Sequence, residues 1–367
     1  MQTNYPGFLK NFYSKFPEWK DLTYKGIKDL WDKELFGTAN FYSKNIRQYS
    51  WQASEVIIND ENMQQKWAKE HNYKIRINEI SLLRRLPESI KNLLGLRGWM
   101  KQILLAQIRV YRPDVIYMHD LSVLNTDDLK VIKKQVKLVA GQIACPLPLD
   151  RKPLYEYDLI VSSFPHYVIM FKDWGINSEY LKWCIEADIP KIVGPRKRTF
   201  GAVFIGGLIP AHGQGNRVLE KLVSKVKVDI WGYGENTLPP LSPIRKNFHG
   251  QAWGKEMYEI FAAAKIVVNR HINVAGNVAN NMRMFEATGM GAMLITDDKP
   301  NMKEFFDVGR EAITYKNAEE LVEKIGYYLT HDREREVIAI KGQRKTLTRH
   351  TYKQRMKDLD LILRKYL

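Results

Sequence analysis

From about Ala53 onward the chain alternates short apolar runs with longer segments whose apolar residues recur at helical spacing. Strands buried on both faces read as short apolar runs and amphipathic helices as the longer segments, so the rhythm is that of βαβ units on a parallel sheet. It predicts strands at 54–59, 114–118, 137–143, 158–162 and 180–183, with helices at 61–71 and near 165–174. Between 188 and 198, Pro190, Gly194, Pro195 and several basic residues break both periodicities, as a linker does. The rhythm then restarts with predicted strands at 201–205, 228–231, 266–269, 292–296 and 312–315. A length of 367 residues with 45% hydrophobic content suits two domains. The expectation is an α/β chain with one Rossmann-like domain over 1–190, a second over 191–350, and a helix over 351–367 that packs through Met356, Leu359, Leu361 and Leu363. The aromatic-rich stretch before Ala53 shows no opening strand, although such a domain normally begins with one.

The formal charge of +16 draws anions: nucleotides, phosphorylated lipids or nucleic acid. Much of the excess lies between Lys74 and Arg109, where eight basic residues face only Glu79 and Glu88, and Leu86, Ile90, Leu93 and Leu94 recur at helical spacing beside Pro87. Such a basic amphipathic helix can lie peripherally on the anionic inner face of a membrane. An ordinary solvated helix over a core is the alternative. No basic, aromatic-interleaved recognition motif is present, so no nucleic-acid partner is expected. No run approaches the roughly 20 apolar residues that span a bilayer, and the first ten residues lack a secretory core, so a cytoplasmic location is expected. Cys145 and Cys184 lack paired spacing and read as buried and inert.

Two such domains facing a cleft place ligands at the carboxyl ends of their strands. In the second domain one strand ends at Gly206-Gly207 and is followed by His212, Gly213, Gly215 and Arg217 at a helix entrance. Paired glycines let a phosphate approach the backbone, and the helix start adds partial positive charge; a plain tight turn is the alternative. Trp231-Gly232-Tyr233-Gly234 offers a flat base or sugar an aromatic face, or simply a core tryptophan with a turn. Phe248-His249-Gly250 leads through Trp253 into a helix and reads as packing. The most informative loop runs from Asn269 through Arg270, His271, Asn273, Gly276 and Asn277 to a helix predicted at 278–289. Its amides and the helix mouth suit a diphosphate. Arg283 and Glu286 share one side of that helix, where the carboxylate can accept from a ribose diol or pair with Arg283.

At these residues a resemblance emerges. Asn280-Asn281-Met282-Arg283-Met284-Phe285-Glu286-Ala287-Thr288-Gly289-Met290-Gly291-Ala292, with Thr296-Asp297-Asp298 after it, resembles the signature of the CgeB-like (spore maturation protein) glycosyltransferases, relatives of family-4 GT-B enzymes. The similarity extends to His249-Gly250, Gly342-Gln343-Arg344 and His350-Thr351-Tyr352, and to Tyr111 through Tyr117, Gly141 through Ala144 and Tyr157 through Ser163. It implies the GT-B fold and transfer of a sugar from a nucleotide-sugar donor to a glycan, lipid-linked or protein acceptor, retaining and without a bound metal or other cofactor. The nucleotide, UDP, GDP or dTDP, stays open. Glu286 matches the second glutamate of the family-4 E-x7-E motif, which holds the ribose; Val278 stands where the first would be. His119, beside Asp120, resembles a family-4 histidine that faces the donor sugar, with a loop histidine capped by its neighbour as the alternative. The expected catalytic residues are His119, His271 and Arg283. Donor binding is expected from Gly206, Gly207, His212, Arg217, Tyr233, Gly250, Asn273, Asn277, Asn280, Asn281 and Glu286. Asp297 and Asp298 are expected in turn and cap roles. The rival readings are a nucleotide-sugar epimerase on the same fold and a non-catalytic protein that binds anionic surfaces or nucleic acid.

Overall fold

The computed structural model describes residues 1–74 and 98–367. Leu86, Ile90, Leu93 and Leu94 of the basic segment lie outside the described residues. The chain divides into two compact units, one of 1–33, 53–180 and 361–367 and the other of 34–52 and 181–360. Both are discontinuous in sequence, which a linear division at 190 and 350 does not express.

In the first unit, β1 (Val115–Met118), β2 (Leu138–Ile143), β3 (Leu159–Ser162) and β4 (Ser178–Tyr180) form a parallel sheet in the order β1-β2-β3-β4. Every residue of β2 and β3 is buried, which is why these strands read as unbroken apolar runs. The fourth strand comes earlier than the predicted 180–183. It carries Ser178 and Glu179, so no apolar run marks it, and Ser178 Oγ donates to the Ile160 carbonyl at 2.7 Å. The helix Thr126–Lys133 starts in a capping box of Asn125 and Asp128.

The opening strand absent from the sequence reading is supplied by the first residues themselves. Gln2 N–H donates to the Val56 carbonyl and Ile58 N–H to the Gln2 carbonyl, each at 2.9 Å, while on the other side His119 N–H donates to the Met1 carbonyl at 2.9 Å. Residues 1–3 thus lie between 56–58 and β1. The piece is too short and too polar for periodicity to show it, and of the strand predicted at 54–59 only the pairing at Ile57 forms.

In the second unit, β5 (Phe200–Gly207), β6 (Val228–Tyr233), β7 (Ala264–Val268), β8 (Met293–Asp297) and β9 (Ile313–Tyr315) are all parallel, in the order β6-β5-β7-β8-β9. Its core gathers Ala202, Phe204, Ile230, Ile266, Val268 and Ile295. Each large aliphatic side chain taken fully out of water there contributes roughly 1.5–3 kcal/mol. From β5 the chain moves outward to β6 and then returns across β5 to β7, so the strand order reverses between β5 and β7. Open α/β sheets bind ligands at the carboxyl ends of the strands at such a reversal.

Residues 34–52 are built into this unit. Lys255 N–H donates to the Glu34 carbonyl at 2.7 Å, and Trp51 Nε1 to Asp360 Oδ1 at 2.7 Å. The expected linker is partly ordered structure. It contains the helix Ile189–Val193, and Arg198 donates to the carbonyls of Phe261, Ala262, Ala264 and Gly291, closing the carboxyl ends of two helices. The terminal helix Tyr352–Tyr366 ends in the first unit, where Glu179 accepts from Lys365 at 2.6 Å and from Tyr366 at 2.9 Å. Cys184 is buried as expected, but Cys145 is exposed. Among the described residues no helix is long and apolar enough to cross a membrane.

Candidate functional site

The carboxyl ends of β5, β7 and β8 are tied together by polar side chains. Arg270, two residues past β7, reaches over to β5: it donates to the Gly207 carbonyl at 2.8 Å, the His212 carbonyl at 2.8 Å and Asn216 Oδ1 at 2.7 Å. Its guanidinium lies 5.2 Å from the Phe204 ring centroid, and a Cβ on Gly215 would collide with it. Burial lowers its pKa to about 10. The His212 imidazole is pushed down to about 4, first by burial and then by Arg270, so it is neutral at pH 7. At the end of β6, Gly232 has φ +156° and any Cβ there would strike the Gly206 carbonyl. Tyr233 pairs with Gly207 in register and stacks on Trp253 at 5.9 Å. Gly250, at φ +93°, accepts from Gly232 N–H at 2.9 Å.

Asparagines shape the loop after β7. Asn269 donates to Thr296 Oγ1 at 2.8 Å; Asn281 donates to Asn269 Oδ1 at 2.9 Å and to the Arg270 carbonyl at 3.1 Å. Asn281 is extended and accepts from Met284 N–H at 3.2 Å, so it caps a helix that runs Met282–Gly289. The helix therefore begins four residues later than 278. Asn301 Oδ1 takes the Ala279 N–H at 2.6 Å and keeps residues 278–281 out of the helix. The N–H groups of Met282 and Arg283 precede the first intrahelical bond.

His271 is placed differently from the expectation. Its backbone N–H and ring Nδ1 both bond Asp297 Oδ1, at 3.0 and 2.6 Å, and its side chain is wholly enclosed. Rather than presenting a ring to a substrate, it fastens the loop to the end of β8. Asp297 accordingly does more than cap a turn. Burial pushes its carboxyl up, yet the His271 bonds and Lys299, at 3.4 Å, hold it below the usual range. Asp298 is exposed. Among the described residues no three His, Cys, Asp or Glu side chains come together to hold a metal.

Glu286 is buried at 5% exposure. Its Oε1 accepts from Tyr258 at 3.2 Å and its Oε2 from Arg283 Nη1 at 2.7 Å. The ion pair offered as the alternative is therefore real, and Arg283 is further packed over Phe261 at 5.4 Å and against Met257. Since an ionised carboxylate has about four acceptor positions, two remain.

Of the residues singled out from sequence, Gly206, Gly207, His212, Tyr233, Gly250 and Asn281 fall at the carboxyl ends of β5, β6 and β7. Arg217, Asn273 and Asn277 are exposed, and Asn280 is buried. His119 belongs to the first unit, where burial and then the Met1 ammonium push its pKa down to about 3. Its neighbour Asp120 accepts from Thr3 and Ser122, at 2.7 and 2.6 Å. Sequence reasoning placed Arg270 in the loop without giving it a role and did not single out Asn216. The available signal was an arginine just past the strand beside the diglycine turn, with a glycine at 215 to make room.

Residues 214–360 match a family model described as glycosyl transferase-like. Similar solved structures include a HepE protein from Anabaena in complex with UDP-glucose, at 13% identity and TM-score 0.60 over 90% of this chain and 96% of that one. A glycosyltransferase from Rickettsia africae matches at 12% identity and TM-score 0.55 over 90% and 95%. A sucrose-phosphate synthase from Thermosynechococcus elongatus matches at 10% identity and TM-score 0.55 over 80% and 82%. No curated protein sequence matches the chain. The fold is thus that of the GT-B glycosyltransferases, and the family-model match supports a transferase.

Proposed function

We propose that this protein is a glycosyltransferase whose second unit binds a nucleotide-sugar and whose reaction passes the sugar, with retention and without a metal ion, to a glycan, lipid-linked or protein acceptor. The observation that carries the reading is the convergence, where strand order reverses, of the Gly206-Gly207 turn with the Met282–Gly289 helix start. Asn281 links the two through Arg270. Unpaired amides at a helix start, with the dipole behind them, favour an anion, and glycines let it approach. As the glycosidic bond breaks, charge collects on the diphosphate, and donors already in place stabilise it without reorganising. The related fold that holds UDP-glucose supports a nucleoside diphosphate as the ligand class. The CgeB-like signature around Glu286 narrows the reading to that branch of GT-B enzymes, and Glu286, with two acceptor positions left, is assigned the ribose diol. Peripheral attachment to an anionic membrane is consistent with the +16 charge.

The test is a thermal-shift panel of UDP, GDP and dTDP and their sugars, because a ligand bound to the native state raises Tm by mass action. One of them is expected to raise Tm equally with and without EDTA. No shift from any would refute the reading, and a shift abolished by EDTA would return the metal to Asp297 and Asp298. Incubation with donor alone separates an epimerase, which converts the sugar without acceptor, from a transferase.

A further inference from the structure

Resting on the donor reading above, we infer that Arg270 is a positioning residue for the diphosphate, a buried cation left without a carboxylate of its own so that the ligand completes its charge. Burying a guanidinium is costly unless a counter-charge accompanies it, and proteins ordinarily supply a carboxylate. Here three neutral oxygens do the solvating: the carbonyls of Gly207 and His212 and the side-chain amide of Asn216. Among the described residues Arg270 has no ion-pair partner. Asp297 is close enough for its charge to be felt, but that carboxylate is committed to His271 and Lys299. Tyr233 and Tyr315 also face the guanidinium, and burial pushes the pKa of the Tyr315 hydroxyl up. His212, the other titratable neighbour, is neutral.

The placement is as specific as the charge. Arg270 leaves the end of β7 and grips the end of β5, the two strands between which the order reverses, and the ring of Phe204 supports one side of it. By holding the carbonyls of Gly207 and His212 it fixes the turn from Gly207 to Gly213 at the head of the helix Gly213–Val223. It joins that turn to the second helix start, since Asn281 donates to its own carbonyl. A diphosphate in this position meets amides from both turns with a fixed positive charge directly behind them. Gly215 is the permissive element, because any side chain there occupies the guanidinium's place.

Calorimetric titrations with UDP, GDP and dTDP, with the matching nucleosides, and with inorganic pyrophosphate test this on wild type, R270M and R270K. In R270M the diphosphate that wild type binds should weaken by about 30-fold or more while its nucleoside changes by less than about 3-fold, since only the charged part of the ligand meets the cation. R270K keeps the charge and should stay within about 10-fold of wild type, a rescue that a merely structural clamp would not give. Equal loss of diphosphate and nucleoside in R270M, or no loss of either, overturns the inference. Should R270M fail to fold, R270K decides alone: a loss of diphosphate affinity greater than about 10-fold with the nucleoside retained contradicts a charge-supplying role. If wild type binds none of the three nucleotides, the donor reading itself has failed; if wild type binds and R270M matches it, only the role of Arg270 has.

Discussion

Arg283 Nη1 donates to Glu286 Oε2 at 2.7 Å, one turn apart on the helix Met282–Gly289, while Tyr258 donates to the other carboxylate oxygen at 3.2 Å. The carboxylate assigned to the ribose is therefore held in a fixed rotamer by two donors before any ligand arrives, which is what a hydrogen-bond acceptor for a diol requires.

The pairing predicts how ribose and Glu286 are coupled. E286Q should weaken binding of the preferred nucleoside diphosphate by about 10-fold, roughly 1.4 kcal/mol. Removing the 2′-hydroxyl from the ligand should cost a similar factor in wild type and almost nothing in E286Q. Calorimetry on the four combinations measures the coupling, and additive losses would free Glu286 of the ribose and leave it a structural partner of Arg283 and Tyr258.

Asp297 holds both the backbone and the ring of His271, so D297N should loosen the loop from 271 to 281. Losing one charge-assisted pair that is largely buried is expected to cost about 1.5–3 kcal/mol of stability in denaturant. Hydrogen exchange should quicken at His271 and Ala279 and leave β5 unchanged. If exchange stayed at its wild-type rate across the loop, the fastening role of His271 would be wrong.

Two glycines at the same sheet edge should respond unequally to alanine. Gly250 has φ +93° with open space around its Cβ position, so G250A meets only the backbone penalty of about 1–2 kcal/mol. G232A adds a collision with the Gly206 carbonyl and should cost distinctly more, with donor affinity lost as the β5 end moves. Urea denaturation of the two variants decides; equal midpoints would argue against the close approach of β5 and β6.

In the first unit, Asp60 accepts from Tyr13 at 2.5 Å and caps the helix Glu61–Glu70 through Met63 N–H at 3.0 Å, and burial lifts its pKa from 3.8 to about 6. The folded state then binds this proton more tightly than the unfolded one. The stabilisation it brings is complete below pH 4 and disappears as pH rises through 6, a change of about 3 kcal/mol. Subtracting the stability of D60N from that of wild type at each pH isolates it. The difference should fall between pH 4 and 7, and a flat difference would show that Asp60 titrates normally.

Much of this was legible in the sequence because buried parallel strands write themselves as apolar runs. The strands at 138–143, 159–162, 228–233 and 293–297 all stand where such runs fall. Where the periodicity failed, a polar contact or a short piece had taken over: Ser178 and Glu179 within β4, residues 1–3 paired on both sides, and Asn301 restraining 278–281. The glycine turns and Asn281 could be named from composition at strand ends. The partition of charge could not be, because it depends on which cations find carboxylates. Arg283 finds Glu286, while Arg270 finds only neutral oxygens, and no spacing rule separates the two.

The central claim is that a nucleotide-sugar seats its diphosphate at the carboxyl ends of β5 and β7. Hydrogen exchange read by mass spectrometry, with and without the nucleotide-sugar that raises Tm, tests it most directly. Slowed exchange is predicted for amides in 206–213 and 281–283, with the outer strand β9 unaffected. Protection confined to the first unit, or none at 206–213 and 281–283 under saturating ligand, would contradict the account.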